Sequence, residues 1–297
     1  VMTYNCRAFF DRWFERRSFL GETISLKRPD VACLQESMVS GAGLDNYIAK
    51  CLRDRVKKTY KVHSNAGIIH SLDNHGVPEK FPAIVALIFR IIIRTEQFLL
   101  WLPIISWFVA SLPVVLETMR EFVGRVTDKL GFKIDLFDWY YVSLAPFFGL
   151  STLIHPRFVD LQYDVIALQP NLDEDHMGSC QRVLIGDARS NRPLFWVVNI
   201  HLVHYTTEQG IKQRAAELAR VLDWMEEGYQ SSGCTKGVLM GDHNTLMRNE
   251  PIQEIYEEAG YESAFKSVNG KEPKSTWPSG IKAPFMDLDG VEKNPKG

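Results

Sequence analysis
Short apolar runs that each stop on a polar side chain constrain this chain more than any other feature. Val1–Tyr4 reads as the tail of a strand ending at Asn5, and Val31–Leu34 as a buried strand closed by Gln35 and Glu36. Leu194–Ile200 reads as a strand followed by His201, and Gly237–Met240 as a strand leading into Gly241-Asp242-His243-Asn244. Segments with helical spacing lie between them. Arg12–Lys27 would turn Phe14, Phe19, Leu20 and Ile24 inward, and Pro29-Asp30 breaks it. Leu44–Lys58 and Ile252–Ala259 read as further helices. Glu208–Glu227 reads as a long one with Ile211, Ala215, Leu218, Leu222 and Met225 on its apolar side. Strands alternating with helices define an α/β chain. Side chains at strand ends project into the loops where such scaffolds carry chemistry. A lone Asp after a strand is more often a turn or cap residue. Glu36, His201, Asp242 and Asn244, all at such ends, together point to a site.

Composition narrows the classes. A length of 297 residues suits one large α/β domain or two small ones. With 45% hydrophobic and 24% charged residues, the chain is not disordered, collagen-like or coiled-coil. A net charge of −2 argues against the broad basic face of a dedicated nucleic-acid binder but leaves room for a local basic groove. Five scattered cysteines without CxxC spacing disfavour a disulfide scaffold or a structural zinc site, and favour a reducing, intracellular compartment. No signal peptide is visible. Val1 falls within a strand-like run and Gly297 within a polar stretch, so a fragment at both ends is expected.

Carboxylates and amide oxygens are hard ligands that suit Mg²⁺ or Mn²⁺. One Glu with one or two Asp or Asn side chains fits a Mg²⁺ site that completes its shell with water and phosphate oxygens. Such a metal polarises a phosphoryl oxygen. A second carboxylate can orient or deprotonate the attacking water, and a His or Asn donor can stabilise charge on non-bridging oxygens. Zinc is disfavoured because no Cys or His pair has ligand spacing. His63, His70, His75, His155, His176 and His204 lack partners at metal spacing and read as surface or core residues.

Four pieces then carry a resemblance: Met2-Thr3-Tyr4-Asn5, Pro29-Asp30-Val31-Ala32-Cys33-Leu34-Gln35-Glu36, Asn199-Ile200-His201-Leu202 and Gly241-Asp242-His243-Asn244. In this order they resemble the PDVxxLQE, NxHL and GDxN elements of the endonuclease/exonuclease/phosphatase superfamily, the DNase I-like fold. The resemblance implies a four-layer α/β/β/α sandwich and a Mg²⁺-dependent phosphoric ester hydrolase. By position, Glu36 and Asn5 would bind the metal, and Asn5 would also lie beside the phosphate. Asp242 would orient or activate water, Asn244 would help hold phosphate or metal, and His201 would donate to the phosphoryl oxygens. Arg182 is a weaker substrate contact. Thr276-Trp277-Pro278 resembles the segment before the last core strands. The family's closing SDH segment is missing, so a truncated C-terminal end is expected, with 1–297 as one incomplete domain. His243 stands where Phe is usual, and Asp287 and Asp289 read as turn residues rather than a calcium loop.

Residues 82–147 form an apolar, aromatic-rich insertion. Phe98–Leu116 carries no charge and approaches the roughly 20 residues that span a bilayer. Pro103 and Pro113 would kink any helix there. Because the chain must leave one domain and return to it, the expected forms are a broken hairpin dipping into a membrane or an interfacial element. The alternative is an extra helical layer or a partner contact. The expected substrate is therefore a phosphoester of a lipid or inositol phosphate, met at a membrane through 82–116. A nuclease of the same fold and an inactive membrane-docked binding protein are the competing readings.

Overall fold
The computed structural model describes residues 1–6, 13–38, 43–66, 148–168, 178–205, 207–245 and 251–273. The insertion at 82–147, Thr276-Trp277-Pro278, Asp287 and Asp289 lie outside them. Among the described residues, no helix is long and apolar enough to cross a membrane.

The first strand expectation shifts by one residue and the other three lengthen. They become β1 (Met2–Asn5), β2 (Val31–Met38), β7 (Pro193–His201) and β8 (Gly237–Asp242). Four further strands complete the set described: β3 (Lys61–Ala66), β4 (Phe148–Ile154), β5 (Phe158–Ala167) and β6 (Ser179–Asp187). The helices are α1 (Trp13–Lys27), α2 (Leu44–Val56), α3 (Glu208–Ser232), α4 (Ile252–Glu258) and α5 (Ala264–Asn269).

The chain divides into two compact units. The first comprises Val1–His201 and Tyr229–Asp242, and holds both sheets. One sheet has the order β1-β2-β4-β3 and the other β5-β6-β7-β8. Only β1 with β2 and β7 with β8 run parallel; the remaining neighbours are antiparallel. Both sheets are therefore mixed, as an α/β fold with long crossovers requires. Helix α2 packs on β2, β3 and β4, with Leu44, Ile48 and Leu52 fully buried. Helix α1 lies close against α2 at Gly21, where a Cβ would meet the Tyr47 ring at 2.7 Å and the Cys51 sulfur at 2.8 Å. Leu20 and Ile24 are buried as the spacing requires, but Phe19 is 63% exposed. The buried arc of α1 is narrower than its apolar residues suggested.

The sheets face each other, and alternate residues on each strand fill the space between them. At one end that space is apolar: Val31, Cys33, Ile154, Val183, Ile185, Val197 and Met240 form one cluster. Burial pushes the Cys33 thiol up to about 12, which removes it as a nucleophile. Further along the same strands the inward residues turn polar: Gln35 on β2, Thr152 on β4, Gln181 on β6 and Asn199 on β7. The sandwich is joined along the β3/β5 side by His63, whose Nε2 lies 2.9 Å from Asp160 and whose ring stacks on Tyr163 at 4.3 Å.

The second unit comprises Leu202–Gly228 and His243–Gly297. Its buried α3 residues include Arg214, Glu217, Leu218, Val221, Trp224 and Met225. Ile211, Ala215 and Leu222 are only partly buried, so the buried stripe is rotated from the expected one and carries two charges. Those charges hold the chain that follows β7. Arg214 Nη1 donates to the carbonyls of Val203 (2.9 Å) and Tyr205 (2.6 Å), while Glu217 accepts from the Val203 amide (2.9 Å).

Burial of the His63 ring lowers its pKa below the ordinary imidazole value and outweighs the Asp160 carboxylate, which raises it. The unfolded chain then takes up this proton more readily than the folded one. The contribution to stability is complete above about pH 6.5 and is lost as pH falls through the lowered folded value. In urea titrations at pH 7.5 and pH 5, His63→Gln should lose less stability on acidification than the wild type. An equal loss in both would show that this ring does not set the slope.

Candidate functional site
Four strand ends, two from each sheet, bring Asn5, Glu36, His201 and Asp242 together within the first unit. Parallel pairing sets the end of β1 beside the later part of β2, with Asn5 opposite Gln35, and aligns the ends of β7 and β8, with His201 opposite Asp242. The edge strands β1 and β8 meet across the sandwich. There the Asn5 side-chain nitrogen donates to Glu36 Oε1 at 2.8 Å and to Asp242 Oδ2 at 2.7 Å. His201 Nε2 lies 3.6 Å from Glu36 Oε1. One ligand atom from each of Glu36, His201 and Asp242 falls within 4.8 Å of the others. Their burial is intermediate for the two acids, and His201 is 9% exposed, so a small solute can reach the acids while the imidazole stays fixed.

Two backbone devices aim these groups. The β2–β4 register shifts between Leu34 and Ser37, which places one extra residue in β2. Glu36 lies in that bulge with φ of 48°. Left-handed backbone at a non-glycine residue costs about 1–2 kcal/mol, and such strain concentrates at functional sites. The second device is Gly241, with φ of 150°. A Cβ there would stand 1.9 Å from the Ile200 carbonyl oxygen. The glycine of the GDHN segment thus allows β8 to lie against β7 just where Asp242 comes opposite His201.

Asn244 belongs to the second unit, where φ is 49° and its side-chain amide donates to the Leu202 carbonyl at 2.8 Å. His243 pairs with the Tyr256 hydroxyl at 2.6 Å in the same unit. The structure does not bring Arg182 to the group. Gln181 faces the space between the sheets, so its neighbour Arg182 faces the other way. There Arg182 Nε donates to Asp164 at 3.1 Å, and its guanidinium lies 5.1 Å from the Trp196 ring centre. Its side chain is only 8% exposed, which suits an internal ion pair. Sequence reasoning also passed over Gln35 and Asn199 as site-supporting residues, although both stand inside the quoted motifs. Their signal was an amide where strand alternation asks for an apolar side chain.

The donor set is two carboxylates, an amide and an imidazole, which can hold a divalent cation. Asn5 presents nitrogen to both acids; a half-turn of the same amide would present oxygen.

No family model and no curated protein matches the chain. Solved structures are similar to it at low identity. The human Nocturnin catalytic domain with bound sulfate is 16% identical, with 89% of this chain and 71% of that one covered and a TM-score of 0.48. An endonuclease/exonuclease/phosphatase family protein from Bacteroides thetaiotaomicron is 11% identical, covering 86% and 67%, with a TM-score of 0.48. A mannosyl-6-phosphatase from the same species is 12% identical, covering 82% and 64%, with a TM-score of 0.44. Likenesses of this size leave the chemistry to be argued from the chain's own residues.

Gly241→Ala should destabilise the protein by more than about 2 kcal/mol, because backbone rather than a movable side chain occupies the Cβ position. Urea denaturation measures this. A variant as stable as the wild type would mean that β8 can move away from β7 freely.

Proposed function
We propose that this chain is a divalent-metal-dependent hydrolase of phosphoesters. The observation that carries the reading is the pair Glu36 and Asp242, drawn from two sheets and sharing one Asn5 amide. Two carboxylates held this close favour a nearby cation. The full α/β/β/α sandwich goes with this reading, as do the roles that follow.

Glu36 and Asn5 would hold the metal, Mg²⁺ or Mn²⁺, which when bound supplies charge stabilisation to the phosphoryl oxygens. Asp242 orients the attacking water and can take its proton. His201 is held beside Glu36 and donates to a non-bridging oxygen as negative charge builds there. Asn244, two residues past Asp242, contributes an amide to the phosphate. Arg182 is spent on Asp164 and anchors its sheet instead of meeting substrate.

The substrate class we favour is a lipid or inositol phosphate met at a membrane surface, supported by the uncharged run Phe98–Leu116. A nuclease would need a basic groove, which the net charge of −2 does not encourage.

Purified full-length chain should hydrolyse at least one of sphingomyelin, an inositol phosphate or DNA in Mg²⁺ and lose that activity in EDTA. Glu36→Gln and Asp242→Asn should each reduce the rate by about 100-fold or more, and His201→Gln by a similar factor. Folded wild type that cleaves none of the three would count against the proposal. Cleavage of DNA alone would replace the lipid reading with the nuclease one.

A further inference from the structure
Amides are costly to bury: each unpaired one loses about 1–3 kcal/mol of hydration. Gln35 and Asn199 are nevertheless 1% and 0% exposed, in the space where Cys33 and Val197, two residues earlier on the same strands, belong to the apolar cluster. Their hydrogen bonds are fully committed. The Asn199 nitrogen donates to the carbonyls of Leu34 (3.2 Å) and Ser151 (3.1 Å), both at the rung where the β2–β4 register shifts. Its oxygen accepts from Gln35 Nε2 at 2.7 Å. That same nitrogen reaches Thr3 Oγ1 at 3.0 Å and the Cys33 carbonyl at 3.2 Å. Thr3 donates in turn to Gln35 Oε1 at 3.2 Å.

The chain of bonds therefore crosses β1, β2 and β7, immediately before Asn5, Glu36 and His201. Each bond fixes a strand just below the side chain that strand delivers. The bonds to Leu34 and Ser151 also bracket the opened rung from which Glu36 takes its left-handed backbone. An apolar pair of similar size would fill the volume but leave the strands free to slide by tenths of an ångström, which a cation site registers directly.

We propose that Gln35 and Asn199 are positioning residues that set the separation of Asn5, Glu36 and His201, and so the affinity of the site for a divalent cation. This rests on the phosphoesterase reading only for the identity of the cation. A comparator lies in the same space. Gln181 donates to Leu150 O (3.0 Å) and Asn65 Oδ1 (2.5 Å) and accepts from Thr152 (2.8 Å), but it adjoins none of the four site residues. A purely structural role would make all three amides equivalent.

The test uses the full chain carrying Asn199→Asp, Gln35→Met or Gln181→Glu. Mn²⁺ binding is followed by electron paramagnetic resonance and stability by thermal unfolding. In metal-free protein at fixed pH, the Asn5 side-chain amide and His201 ring resonances report the site's geometry. Asn199→Asp and Gln35→Met should each weaken Mn²⁺ binding at least tenfold and shift both sets of resonances. Gln181→Glu should lower the unfolding midpoint while leaving affinity within twofold and the resonances in place. Equal weakening by Gln181→Glu, or unchanged affinity and resonances in the other two, would overturn the proposal. Wild type that binds no Mn²⁺ would overturn the metal-dependent reading, and the resonances alone would then decide the positioning role.

Discussion
One amide nitrogen, that of Asn5, is shared by two carboxylates that are 206 positions apart in the chain, Glu36 and Asp242. Like charges in one place repel, and the cost is met by donors or a cation. The rest of the first unit can be understood as what makes that meeting possible. It requires β1 and β8 to be the edges that touch, Asn5 to pair with Gln35 and His201 with Asp242, and β2 to bulge at Glu36. No element does this alone, since each sheet supplies half of the group.

The space between the sheets grades from hydrocarbon to amide along the strands, and this grading has mechanical meaning. The apolar end, around Val31, Val183 and Val197, supplies cohesion without direction. The amide end, around Gln35, Gln181 and Asn199, supplies direction, because hydrogen bonds constrain angle as well as distance. Stability and geometry are thus drawn from different ends of one interior. The His63–Asp160–Tyr163 contact joins the β3/β5 side, opposite the side where Asn5 reaches Asp242.

Much of the site could be read from the sequence because its residues sit where apolar runs end, and runs of four to seven residues are legible without a structure. Glu36, His201 and Asp242 are legible that way, and Asn5 joins them through the resemblance. Other features depend on contacts that spacing does not encode. The left-handed Glu36 and the bulge around it come from a pairing with β4, more than 110 residues later. Arg214 and Glu217 break the apolar pattern of α3 because they face backbone groups, so the helix was read with its stripe rotated. Phe19 reads as core by type and is exposed by position. Arg182 is a weaker substrate contact by resemblance, but strand alternation points it to Asp164. The expectations for the 82–147 insertion fall outside the described residues.

Gly241 leads to a point about folding rather than function. Parallel strands can pair in more than one register, and a slip of one residue would turn His201 and Asp242 to opposite faces. At the rung where β8 crowds the Ile200 carbonyl, only a residue without a side chain fits. Met240 and Asp242, its neighbours, cannot take that place. The missing methyl group therefore acts as a register pin: it excludes the mispaired sheets in which the two halves of the site would never meet.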